Sequence, residues 1–305
     1  MSAWIDLERF LVPFDASEEE SSLSGLFLKP INALTWTQVL PGPCVVVLGE
    51  GGIGKTSELR GQAQRLRGEG RGAFFVPIEA LAKDGLAMTI EGEIRAFEEW
   101  KQGQAEAWFF LDSVDEAKLV GESLQRALKK LVTELSDTLQ RCHLVVSCRP
   151  SDWKRNDEEE LNRLAGRLIK PIEPPPPSEP RRGRRQHQAR TSFERDTILP
   201  IVPVRVLRLA PLICDQIKSY AAQKENLTDA DAFVEAVGAA DLWGLAGRPL
   251  DVEWLAGSWK RSHVFAPLRI MIEKTFTRNL ATLVAILAYI LIRSPANARA
   301  RASSA

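Results

Sequence analysis

Residues 44–56 read Cys44-Val-Val-Val-Leu-Gly49-Glu-Gly-Gly-Ile-Gly-Lys-Thr56, an apolar run that breaks into a glycine-rich loop ending in Lys-Thr. The spacing from Gly49 to Gly54, Lys55 and Thr56 fits G-x-x-x-x-G-K-[ST], the P-loop pattern, in which each residue type has a physical task toward a nucleoside triphosphate. Gly51, Gly52 and Gly54 allow backbone angles that a Cβ forbids, so that successive N–H groups turn inward around phosphate oxygens. A helix starting at the end of the loop adds its positive N-terminal dipole. Lys55 would reach the β- and γ-phosphates, and the Thr56 hydroxyl would be a Mg²⁺ ligand. The flanks agree with this reading: residues 45–48 are β-branched and strand-like, and Leu59, Ala63 and Leu66 give the stripe of an amphipathic helix.

The chain has 305 residues, enough for a nucleotide-binding domain and a smaller second domain at roughly 100–200 residues per domain. Lys plus Arg and Asp plus Glu balance at 40 each, so no global field draws the protein to nucleic acid or membrane. The cysteines Cys44, Cys142, Cys148 and Cys214 form no C-x-x-C pair, which points to free thiols in a reducing, cytoplasmic setting. No charged-then-apolar leader is visible at the N-terminus. The longest uncharged apolar run, residues 280–292, falls short of the roughly 18–20 residues that span a bilayer, so no membrane role is expected.

Outward from the loop, strand and helix patterns alternate. Residues 73–78 read as a second strand, followed by helical spacing at Ile90, Ile94 and Phe97. Residues 108–111 form a third strand running into Asp112, and Leu124, Leu128, Leu131 and Leu135 stripe the next helix. Residues 144–146 form a fourth strand ending at Ser147-Cys-Arg-Pro150. Residues 204–209 form a fifth, placed near an edge because Pro203 precedes it. Such alternation predicts a mostly parallel sheet covered on both faces, with ligands at the carboxyl ends of the strands. The glycine loop, Asp112 and Arg149 all fall at such ends. The expected fold is therefore α/β, a three-layer P-loop core with a five-stranded, mostly parallel sheet, followed by a small helical domain.

The domain reading is a lead-in at 1–35 with no evident chemistry, the core at 36–210, a helical domain at 211–278 and an atypical tail at 279–305. Within the core, 171–199 is a proline- and arginine-rich insertion whose composition gives it nothing to bury. No aromatic residue is interleaved with its arginines for base stacking, so a direct nucleic-acid contact is not expected. In the helical region, Thr228-x-x-Asp231 has the form of a capping signal, and Gly247-Arg-Pro249-Leu250 places proline where a helix can begin.

Phe109-Phe-Leu-Asp112-Ser-Val-Asp115-Glu116 puts one acid at the end of an apolar strand and two just beyond it. Asp112 is placed to support Mg²⁺ through its water shell. Asp115 and Glu116 are both candidates to orient or deprotonate an attacking water, and the sequence does not choose between them. Arg149 can aim a guanidinium at a γ-phosphate. His143, His187 and His263 are too scattered for a metal site, and no G-x-S-x-G elbow supports a serine hydrolase.

Taken together, these motifs resemble the NACHT-type branch of the STAND signalling NTPases, particularly bacterial members associated with antiviral defence. Gly49, Glu50, Gly51, Gly52, Ile53, Gly54, Lys55, Thr56 and Ser57 look like that family's P-loop, and residues 110–117 like its extended Walker B. Residues 147–150 are similar to its sensor 1, and Gly247-Arg-Pro249 to its G-x-P motif. The resemblance implies a strand order of 2-3-4-1-5, ATP and Mg²⁺ as cofactors, slow hydrolysis, and a switch between ADP- and ATP-bound states that assembles homo-oligomers in complete members. It also implies that Pro249 lies near the adenine. The effector, winged-helix and repeat-sensor regions typical of the family are not recognisable here, so a fragment without turnover is one rival reading. An AAA+ ATPase working on nucleic acid is the other. A GTPase is disfavoured because no N/T-K-x-D motif is present.

Overall fold

The computed structural model describes residues 4–14, 29–91, 94–112, 124–168 and 204–273. Six strands form one sheet: β1 (Leu11–Pro13), β2 (Cys44–Leu48), β3 (Gly72–Pro77), β4 (Ala107–Asp112), β5 (Cys142–Cys148) and β6 (Arg205–Leu209), in the order β1-β6-β2-β5-β4-β3. All neighbours are parallel except β1, which runs antiparallel to β6 with Leu11 opposite Leu209. Counted among themselves, the five parallel strands run 2-3-4-1-5.

Among the described residues the sheet therefore has six strands, not the expected five, and the additional one comes from the lead-in. A three-residue strand is too short to show the alternation by which strands are recognised, and its partner is about 200 residues away, so pairing alone creates it. β6 is thus next to the edge strand, near the edge as Pro203 suggests, with β1 covering its outer side.

Strand parity sorts the core into two layers of side chains, because successive residues point to opposite faces. Val46, Leu48, Phe74, Val76, Phe109, Leu111, Leu144 and Val146 face one way. They meet α3 (Ile78–Asp84), α4 (Leu86–Thr89), α5 (Ile94–Gln102), α6 (Leu124–Glu134) and α7 (Arg155–Leu168) through residues such as Leu81, Leu86, Phe97, Leu128 and Leu161. Val45, Val47, Phe75, Trp108, Phe110 and Val145 face the other way, onto α1 (Trp36–Val39) and α2 (Lys55–Gly68). Being buried on both faces, β2 and β4 carry near-continuous apolar sequences. The short α3 and α4, and the whole of α7, go beyond the elements read from sequence.

A third apolar cluster lies among α8 (Cys214–Lys224), α9 (Ala230–Ala239), α10 (Trp243–Ala246) and α11 (Pro249–Ser262), around Ile217, Phe233, Val237, Val252, Leu255 and Trp259. Leu7 joins it, so the N-terminal segment touches both this cluster and, through Leu11, the sheet. The helix anticipated at Thr228 begins one step later: Asp229 is the N-cap of α9 without a side-chain cap bond, and its carboxylate accepts instead from Trp259 Nε1 at 2.8 Å. Among the described residues no helix is long and apolar enough to cross a membrane.

Candidate functional site

The loop after β2 folds as its glycines require. Gly52 (φ +79°) and Gly54 (φ +94°) adopt left-handed backbone angles, and Gly54 is the N-cap of α2, whose first residue is Lys55. A side chain at either position would be strained, and one on Gly52 would come within 3.2 Å of Leu250 Cβ. Gly49 N–H donates to the Cys148 carbonyl at 3.1 Å, which ties the loop's start to the end of β5. Lys55 turns back over the loop: its Nζ donates to the Gly49 carbonyl at 2.5 Å and lies 3.4 Å from that of Glu50.

The loop is the floor of a cleft of about 300 Å³. Glu50, Gly51, Gly52, Gly54, Lys55, Thr56 and Ser57 line it from one side, and Arg149, at the carboxyl end of β5, from another. The remaining wall is helical, made of Tyr220 on α8 and Pro249, Leu250 and Glu253 on α11. The start of α11 is seated on the loop, with Leu250 N–H 3.4 Å from the Gly52 carbonyl. Pro249 Cγ sits 3.4 Å from the Cβ position of Gly54. Pro249 and Glu253 are one helical turn apart and share a face.

Three expected site residues stand outside this lining. Ile53 is buried beneath the loop, and Gly49 serves as its hinge to β5. Asp112 ends β4 in a buried position, where its Oδ1 accepts from the equally buried Ser147 hydroxyl at 2.5 Å. That bond fixes the carboxylate at the carboxyl edge of the sheet, on the strand next to β5 and two strands from β2. Asp115 and Glu116 lie outside the described residues, as does the 171–199 insertion.

The lead-in, read as a segment with no evident chemistry, holds a structural tie to the loop through Arg9. Arg9 is buried, donating from Nη1 to the Ile53 carbonyl at 3.1 Å and from Nη2 to the Ala210 carbonyl at 2.6 Å. Burial pushes its pKa down to about 10, opposed by Glu58 and Tyr220, so it is charged at neutral pH. Burial raises the Glu58 carboxyl, with Arg9 acting through space in the opposite direction. Gln216 joins the same clasp, donating from Nε2 to the carbonyls of Leu7 at 3.0 Å and Glu8 at 3.1 Å. No local pattern marks Arg9 or Tyr220 in the sequence. Glu253 was within reach, since it follows Pro249 by one helical turn.

The other candidates for chemistry are structural. Cys44 and Cys142 are buried thiols pushed up to about 12 by burial, so they stay protonated and unreactive. His143 stacks on Trp108 with ring centroids 4.6 Å apart and pairs through Nδ1 with the Gly42 carbonyl at 3.0 Å, at the amino end of β5. No protein-family model matches the chain, and no curated protein matches it.

Proposed function

We propose that the chain is an ATP-binding, slowly hydrolysing regulatory module, a molecular switch of the NACHT-like STAND type working in the cytoplasm, with antiviral defence as the setting its motifs suggest. The observation that carries this reading is the convergence on one cleft of a left-handed glycine loop at a helix N-terminus, the Lys55 ammonium, Arg149 and Pro249. A triphosphate suits such a place. Backbone N–H groups and the α2 dipole favour anionic oxygens, and Lys55 would exchange the Gly49 and Glu50 carbonyls for phosphate. Gly52 and Gly54 supply the left-handed backbone angles on which this loop depends. Pro249 and Leu250 offer apolar surface for a base.

Mg²⁺ bound with a triphosphate would supply charge neutralisation at the phosphates. Thr56 would hold it directly and Asp112 through water. Among the described residues no cluster of three or more His, Cys, Asp or Glu can hold a metal, but Mg²⁺ that keeps its waters and phosphate oxygens needs only one or two protein groups. Arg149 would stabilise γ-phosphate charge, and Asp115 or Glu116 would orient the attacking water. ATP and ADP are the proposed ligands.

Thermal unfolding with and without ATP-Mg²⁺ tests the reading. Ligand at about a hundredfold excess over Kd should add about 2.7 kcal/mol of stability. Lys55→Ala should abolish the shift, and a parent protein that melts at the same temperature with and without nucleotide would refute the reading.

A further inference from the structure

The helical wall of the cleft carries a polar pair that the phosphate chemistry does not use. Tyr220 O–H donates to Glu253 Oε1 at 2.5 Å, and both side chains are half-buried where they line the cleft. Lys55 and Arg149 bring positive charge to the same space, on the loop side and at the strand end. The two carboxylates of the lining differ: Glu50 is exposed at the loop, whereas Glu253 is tied to Tyr220.

We propose that Glu253, oriented by Tyr220, is the specificity-determining acceptor of the cleft, taking a hydrogen bond from the nucleoside part of the ligand and so selecting a nucleotide over bare polyphosphate. The inference rests on the nucleotide reading above. An ionised carboxylate accepts but cannot donate, and it offers about four lone-pair sites, of which Tyr220 occupies one. It repels phosphate oxygens, so the part of a ligand it faces must bring a donor: a ribose hydroxyl or an exocyclic amino group. Burial and the bond to Glu253 both raise the Tyr220 phenol, so Tyr220 keeps its proton and remains the donor that orients Glu253. The wall is also held in place, because Leu250 packs on Gly52 immediately beside it. A site built to bond a donor rejects analogues that lack it, because the acceptor's remaining lone pairs then lose water without gaining a partner.

The test measures binding of ATP and inorganic triphosphate, each with Mg²⁺, to the full chain and to Glu253→Gln and Tyr220→Phe. The parent should prefer ATP. Glu253→Gln should weaken ATP by roughly tenfold, the scale of one hydrogen bond to a charged acceptor, and leave triphosphate unchanged or tighter. Tyr220→Phe should lower the ATP-to-triphosphate affinity ratio in the same direction, a readout that a purely structural role would not move. ATP lacking both ribose hydroxyls and purine riboside triphosphate lacking the amino group separate the two donors. The analogue missing the true donor should bind the parent weakly and lose nothing further in Glu253→Gln. Equal losses for ATP and triphosphate, or no loss for ATP, would overturn the role of Glu253 while leaving nucleotide binding intact. A parent that binds neither ligand would overturn the nucleotide reading as well.

Discussion

Arg9 donates from Nη1 to the carbonyl of Ile53 at 3.1 Å, joining the N-terminal segment to the residue on which the glycine loop rests. Its second nitrogen takes the carbonyl of Ala210, the residue after β6, at 2.6 Å. One buried guanidinium thus ties loop, sheet end and the approach to the helices. Arg9→Met keeps the apolar stem but leaves two buried acceptors unpaired, and should destabilise the protein by about 3 kcal/mol, read as a lower urea midpoint. Arg9→Lys should recover only part of this, because one ammonium cannot span both carbonyls. An unchanged midpoint in Arg9→Met would contradict the tie.

Glu58, in the first turn of α2, sets a pH dependence whose sign follows from burial. Its folded pKa is raised, so above the ordinary glutamate value of about 4.3 the folded chain holds a proton that the unfolded chain has released. This contribution to stability is therefore lost as pH rises through the window between the ordinary and the raised value. Glu58→Gln should be more stable than the parent at pH 7, with the difference shrinking as pH falls through that window. Denaturation curves from pH 4 to 8 that show the difference growing toward acid would refute the sign.

Gly61 on α2 lies under the indole of Trp4, close enough that an added Cβ would fall 2.0 Å from the ring. Alanine at an exposed helix site gains about 1 kcal/mol over glycine, but here the ring has to leave. Gly61→Ala should therefore undock the N-terminal segment, giving a red-shifted tryptophan emission and faster tryptic cleavage after Arg9. Unchanged cleavage would show that Trp4 shifts without release.

Asp112→Asn should weaken Mg²⁺-dependent ATP binding yet leave the fold intact, since the amide oxygen can still accept from Ser147. Asp115→Asn or Glu116→Gln should retain binding and lose hydrolysis, because these acids follow the strand end rather than complete it. Equal loss of ATP binding in all three variants would break this division of roles.

Elements with local signals were legible before any contact between distant segments was known. Residues 44–56 specified a strand, a left-handed loop and a helix through β-branching, glycine spacing and an apolar stripe, and strand alternation implied the mostly parallel sheet. Pro249 marked the start of α11 because a helix's first turn tolerates a missing N–H. Tertiary structure decided what depends on partners distant along the chain. β1 exists because Leu11 meets Leu209, and Arg9 matters because Ile53 and Ala210 present carbonyls to it. Tyr220 joins the cleft only because α8 packs against α11, placing its hydroxyl on Glu253. Periodicity reports which face of an element is apolar, and capping residues report where it ends. Neither says which carbonyl, ring or carboxylate will stand opposite once the chain has folded, since that is fixed by packing between segments that share no local signal.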